Sequence, residues 1–298
     1  MPVDTATLMQ QVARIRMVTR RLVDDRFCGE YHSVFKGRGI EFDEVRPYAF
    51  GDDVRSIDWN VTARTGEPHL KRYAEERELT VIFMVDVSGS QCFGSGDRDK
   101  AERAAEVTGV LALSALRNQD KVGLVLFSDR IHLYLPPRKG RTAVMRLVRE
   151  VLAAEATRQG TDLQAALQFL SAVHKRRAIV FLLSDFQANG YESALRNCAR
   201  RHDLVACPIS DPREAELPSI GLVQLEDPET GETRLVDCAS GALREAYARQ
   251  TRDEREALET LLRRHAVDAV YLDTRRPFIA DLRRLFERRL RRGGRRRR

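Results

Sequence analysis

The chain has 298 residues, of which 43% are hydrophobic, and a formal net charge of +7; that is enough for a substantial core in one large domain or two small ones. No apolar run reaches membrane-spanning length and the N-terminus, MPVDTATLMQQVARIR, lacks the apolar stretch of a secretory signal, so no transmembrane segment and a cytoplasmic location are expected. Five scattered cysteines without a C-x-x-C spacing fit neither a disulfide framework nor a zinc site. The charge is unevenly placed. Residues 283–298 hold ten Arg against one Glu, a surplus of +9 that leaves −2 for residues 1–282. The basic end reads as solvated and disordered, the alternative being contact with an acidic partner or surface.

In chain order, Leu8, Val12, Ile15 and Leu22 come close to a 3.6-residue period and predict a helix over Thr5–Asp25. Cys28 to Gly39 reads as loop, with Gly37-Arg38-Gly39 as its sharpest break, and Ile40–Pro47 as a weak strand. The charged stretch that follows holds Asp52, Asp53, Arg55, Asp58, Arg64 and the single Trp59. It predicts a salt-bridged cap anchored by the indole rather than a catalytic cluster, since no His or Cys base lies among these residues. Within Leu79–Ser90, Val81–Val85 is a continuous apolar run, the signature of a strand buried on both faces. Asp99–Asn118 then reads as a long helix with a small-residue packing face.

Strands are expected at Val122–Phe127 and Ile131–Leu135, the second blocked by Pro136-Pro137. Helices at Thr142–Ala153 and Leu163–Val173 precede a third buried strand at Ala178–Leu183, a helix at Tyr191–Arg201 and a strand at Leu204–Ile209. Leu222–Leu225 and Thr233–Val236 flank a turn sequence and predict a hairpin. A helix over Gly241–His265, a strand over Val267–Leu272 and a helix over Pro277–Arg289 complete the chain. The alternation of strand and helix predicts an α/β fold with a doubly wound, mostly parallel sheet.

Three loop regions carry matching chemistry. Asp86, Ser88 and Ser90 follow the first core strand, Thr161 lies in a loop entering a helix, and Asp185 follows the third core strand. In a doubly wound sheet these loops share the carboxyl edge, where ligands bind. Two carboxylates and three hydroxyls are hard oxygen donors suited to Mg²⁺ or Mn²⁺. This D-x-S-x-S with a downstream Thr and Asp resembles the metal-ion-dependent adhesion site of von Willebrand factor type A domains, over roughly residues 79–290. A second resemblance covers Arg38–Ser90. VRPYAFGDDVRSIDWNVTAR followed by EERE is similar to the signature of the bacterial family called domain of unknown function 58, which joins such a segment to a von Willebrand A-like domain. The resemblance implies a partner, a MoxR-type AAA+ ATPase encoded nearby.

The expected organisation is an N-terminal helix and signature segment over 1–78, a von Willebrand A-like domain over 79–292 and a basic disordered tail over 293–298. The expected function is a non-enzymatic, metal-dependent protein-interaction module. Its metal would be held by Asp86, Ser88, Ser90, Thr161 and Asp185, leaving a position for a partner's carboxylate. The rival is a hydrolase built on Asp86 and Ser88. A phosphatase of the aspartyl type needs a second Asp where Ser88 stands, and Ser88 lacks the G-x-S-x-G elbow. Gly89 and Gly94 have the spacing of a phosphate loop, but Ser95 stands where Lys is required. A nucleic-acid binder would rest on the Arg tail alone, without an aromatic stacking platform.

Overall fold

The computed structural model describes residues 25–35, 40–75, 78–96, 98–154, 157, 160–227 and 229–295. All but Asp25 of the helix expected over Thr5–Asp25 lies outside them. Asp25 opens α1 (Asp25–Phe35), where a loop was expected from Cys28 onward. The helix forms because Phe27 and Tyr31, four residues apart, share one face and are both fully buried. Their rings meet Phe286, with centroids 5.3 and 6.2 Å away.

The chain divides into two compact units, Phe35–Leu79 and a larger one that takes in the rest. Helix α1 therefore groups with the larger unit rather than with the signature segment. In the small unit, β1 (Ile40–Pro47) pairs antiparallel with β2 (His69–Glu75). Between them Asp53 accepts from the Arg55 N–H and caps a short 3-10 turn, while Asp58 accepts from Asn60 and Val61 and caps α2 (Trp59–Thr65). Gly66, at φ 81°, ends that helix in the left-handed conformation glycine tolerates best. The acidic residues expected to form a salt-bridged cap thus act largely as backbone caps. Asp52 does form an ion pair, bidentate to Arg46 at 2.7 and 2.8 Å. Trp59 anchors nothing of the kind expected, for it is 70% exposed.

The larger unit is built on a seven-stranded sheet. Its strands are β3 (Thr80–Asp86), β4 (Lys121–Phe127), β5 (Ile131–Arg138), β6 (Ile179–Ser184) and β7 (Asp203–Ser210), with the two-residue β10 (Asp268–Ala269) and β11 (Leu272–Asp273) against β7. The order is β10-β7-β6-β3-β4-β5, and every pairing is parallel except β4 with β5. The chain runs outward from β3 through β4 to β5, then returns to the other side of β3 with β6. That reversal makes the carboxyl ends of β3 and β6 a topological switch point.

Along β3, Ile82 and Met84 face one core cluster with Leu163, Leu167 and Leu170 of α5 (Leu163–Val173) and Leu195 of α6 (Glu192–Arg201). By strand alternation Phe83 faces the other layer, where it stacks on Phe181 at 5.7 Å. The remaining helices are α3 (Lys100–Arg117), α4 (Arg141–Ala153), the one-turn α7 (Pro212–Ala215), α8 (Gly241–Arg264) and α9 (Ile279–Arg295). A separate hairpin, β8 (Leu222–Glu226) with β9 (Thr233–Asp237), forms where its turn sequence predicts.

Two expectations fail for identifiable reasons. β5 continues through Pro136-Pro137 to Arg138, because an edge strand can do without the missing N–H groups. Gly123 on β4 leaves room for it; a Cβ there would lie 3.0 Å from the Leu135 carbonyl oxygen and 3.1 Å from Pro137 Cγ. The basic C-terminal run is not disordered as far as Arg295, since it lies on α9, which buries Leu282, Leu285 and Phe286 completely while Arg284 and Arg292 stay 71% exposed. Arg289 clamps Asp203 and Asp268, each at 2.8 Å. The helix passes the expected tail boundary at 293 and reaches Arg295, and 296–298 lie outside the described residues.

At the end of β7, Asp211 is 1% exposed. It accepts from Ser95 N–H and Oγ–H, from Thr274 Oγ–H and from the Arg213 N–H. Burial pushes its carboxyl up, but these bonds outweigh it and hold the group down to about 2 against an ordinary 3.8. A depressed carboxylate stabilises the fold above its unfolded value, and that contribution fades as pH falls from 3.8 toward 2. Asp211→Ala should therefore cost about 2 kcal/mol at neutral pH by urea denaturation. A loss below about half of that would show that the hydrogen bonds do not stabilise the fold.

Candidate metal centre

Asp86 ends β3 at 1% exposure. Its Oδ1 accepts from the Ser88 N–H at 2.9 Å, and its Oδ2 accepts from Ser184 Oγ–H at 2.6 Å and Thr161 Oγ1–H at 3.4 Å. Ser88 Oγ and Ser90 Oγ are 3.1 Å apart. The loop carrying Thr161 is positioned by backbone pairing. Thr157 bridges to Ser88, the Thr157 N–H reaches the Val87 carbonyl at 3.0 Å, and the Asp162 N–H reaches the Ser128 carbonyl at 2.8 Å. Leaving the motif, the chain folds back tightly enough that a Cβ on Gly94 would lie 2.6 Å from Asp99 Cα. Asp99 then caps α3, accepting from the Glu102 N–H at 2.7 Å.

Asp185 enters from β6. Phe186, beside it, has a φ of 61°, a strained conformation for a bulky residue. Its burial beside Tyr191, at 6.2 Å between rings, holds that bend. Asp185 Oδ2 accepts from Lys100 Nζ at 2.9 Å, and Lys100 also reaches Glu214 Oε1 at 2.6 Å. The Lys100 side chain is fully buried. Burial opposes its charge, but Asp185 and Glu214 outweigh burial and raise its pKa.

The structure thus links four expected residues, Asp86, Ser88, Ser90 and Thr161, by hydrogen bonds. The fifth, Asp185, acts on them through its charge. Burial, then the Asp185 charge, push the Asp86 carboxyl up to about 6 against the opposing bonds from Ser184 and Ser88.

The donor set fits a small hard cation. At Mg²⁺–oxygen bonds of about 2.1 Å, neighbouring octahedral ligands stand about 3 Å apart, and the Ser88 and Ser90 hydroxyls have that separation. Among the described residues no three of His, Cys, Asp and Glu group as a metal site by themselves, so a centre here must use the hydroxyls. Gln91, in the same turn and 1% exposed, has no partner for either amide atom among the described residues, which leaves polar capacity beside Ser90.

Sequence reasoning missed Ser184, Lys100 and Glu214. Ser184 reads as the last residue of a strand. Lys100 had one visible signal, a lysine directly after the helix cap Asp99 in a chain whose cations are nearly all Arg.

A doubly wound sheet with D-x-S-x-S after its central strand, and a Thr and an Asp on the same edge, is a von Willebrand A-like arrangement. The chain belongs to the family described as "Protein of unknown function DUF58", whose model matches residues 44–257. It is 30% identical over 283 residues to the uncharacterized proteins Mb1516 of Mycobacterium bovis and Rv1480 of Mycobacterium tuberculosis, covering 94% of this chain and 89% of theirs. Among solved structures it is similar to the conserved hypothetical protein BatB of Bacteroides thetaiotaomicron (16% identity, 72% of this chain, 99% of that one, TM-score 0.45). It is also similar to the SpRpn10 VWA domain (11%, 69% and 93%, TM-score 0.37). Among the described residues no helix is long and apolar enough to cross a membrane.

Proposed function

We propose that the protein is a metal-dependent interaction module in which Mg²⁺ or Mn²⁺, held by Asp86, Ser88, Ser90, Thr161 and Asp185, receives a carboxylate from a protein partner. The observation that carries this reading is the convergence of hard oxygen donors at the β3/β6 switch point. The cation would supply a charge for an incoming Asp or Glu to meet, and the chain's own groups orient and screen it. Lys100, shared between Asp185 and Glu214, offsets part of the carboxylate charge from the buried side and leaves the site net acidic for a cation.

Docking is favoured over hydrolysis because Ser88 Oγ faces Ser90 Oγ rather than a base. Family resemblance makes a MoxR-type AAA+ ATPase the candidate partner. Five cysteines scattered without a C-x-x-C spacing suit a reducing cytoplasm.

Titrating Mg²⁺ or Mn²⁺ into the protein should give saturable heat that disappears in Asp86→Ala, and EDTA should abolish capture of the ATPase. Equal heats in wild type and variant would reject the site.

A second reading rests on a separate observation. Phe50, Val54 and Trp59 in the small unit are 104%, 60% and 70% exposed, more apolar surface than a solvated segment needs. Docking through that surface would survive EDTA and be lost in Trp59→Ala.

A further inference from the structure

A third carboxylate stands at the rim of the site, on the turn of the β8–β9 hairpin. Glu229 Oε2 lies 3.3 Å from where a Cβ would stand on Gly160, the residue before Thr161. After burial itself, the charges of Asp185, Asp227 and Asp86 raise the Glu229 carboxyl, and Lys100 opposes them, so the fields of the whole site reach it. Among the described residues its carboxylate has no ion-pair partner.

The tip that carries it is stiff. Asp227 Oδ1 accepts from the Glu229 and Thr230 N–H groups at 2.9 and 3.4 Å, and the Asp227 N–H reaches the Glu232 carbonyl at 2.8 Å. The arms are loosely held. Leu222 and Leu235 are 68% and 71% exposed, so little core packing opposes movement of the hairpin as a body.

We propose that Glu229 is the site's own acidic occupant: the hairpin tip closes on the cation bound by Asp86, Ser88, Ser90, Thr161 and Asp185, and a partner docks by displacing it. This inference rests on the metal-dependent docking reading. Its physical basis is a change of sign. Without a cation, Glu229 meets the like charges of Asp185 and Asp86, opposed in part by Lys100, so the tip is only weakly held where it lies against Gly160. A divalent cation turns that repulsion into attraction and supplies the differential free energy that closure requires. Glu229 then occupies the position an acidic partner needs, so docking becomes an exchange of one carboxylate for another and weak acidic ligands are excluded.

Mn²⁺ is the probe, used with the full chain. Glu229→Gln should weaken Mn²⁺ by at least about tenfold, since a carboxylate that fills a coordination position should matter no less than one that only supports a ligand. Water-proton relaxivity per bound Mn²⁺ should rise in that variant, because water takes the vacated place. Acetate should displace this water at lower concentration in Glu229→Gln than in wild type. Glu226→Gln, on an exposed arm of the same hairpin, should match the wild type throughout. Equal affinity and relaxivity in wild type and Glu229→Gln, with binding still lost in Asp86→Ala, would overturn the hairpin's role and leave the docking site standing. Failure of wild type to bind Mn²⁺ would overturn both.

Discussion

Lys100→Ala should destabilise the protein by about 3–5 kcal/mol, the cost of removing one partner from a buried ion pair. The lysine side chain is fully buried and Asp185 is 3% exposed, so neither charge is solvated. Without the ammonium, Asp185 is left in a low-dielectric site already shared with Asp86, whose own carboxyl is pushed up by the Asp185 charge. Glu214 loses a partner too, and its other oxygen is tied to the Asp211 N–H at 2.9 Å, so the damage reaches the end of β7. Adding Asp185→Asn to Lys100→Ala should recover part of the loss, because it removes the uncompensated charge. Mg²⁺ should stabilise Lys100→Ala more than the wild type, since a bound cation replaces the missing one. Urea denaturation checks all three, and a loss under about 1 kcal/mol for Lys100→Ala would show the cluster to be effectively solvated.

Acidification should remove about 3 kcal/mol through a single imidazole. His202, between α6 and β7, is 2% exposed and neither ring nitrogen has a partner among the described residues. Burial, then His174, Arg201 and Arg177, depress its pKa from 6.5 to about 4. The fold therefore favours the neutral ring. This contribution is complete above 6.5 and is lost progressively as pH falls from 6.5 to about 4. Asp86 acts in the opposite sense, because a carboxyl raised to about 6 favours the fold as it protonates. The measurement is therefore a difference between wild type and His202→Leu, in which Asp86 cancels. The pH dependence of the variant should be shallower by about 3 kcal/mol between neutral pH and pH 4. Parallel curves would mean that the ring is hydrated in the native state.

The central strands of the large sheet were legible because a strand buried on both faces is a continuous apolar run, as in 81–85 within Thr80–Asp86 and 179–183 within Ile179–Ser184. The motif at the end of β3 was legible for the same reason, since the run stops at Asp86. Lys100 was not, because its partners Asp185 and Glu214 lie 85 and 114 residues away and the pairing exists only once α3, β6 and α7 are placed. Glu229 was hidden inside a good turn signal, which explained the residue locally and gave no reason to place it near Gly160. Helix α1 was misread because Gly29 and the polar residues around it resemble loop. Its apolar stripe has meaning only against Phe286, more than 250 residues later. Trp59 was misjudged because aromatic size was taken as burial, whereas here the indole sits at the first position of a short exposed helix.

The two margins of the large sheet restrict how a peptide can attach to that sheet. At one margin β5 carries Pro136-Pro137 just before its end at Arg138, and these offer no amide protons to a visiting backbone. At the other, pairing on β7 is split between two strands of two residues each, too short to template a further one. Strand addition, a common way of capturing an extended peptide, is therefore blocked on both sides. On this sheet, contacts are left to side chains at the strand tips and on the covering helices.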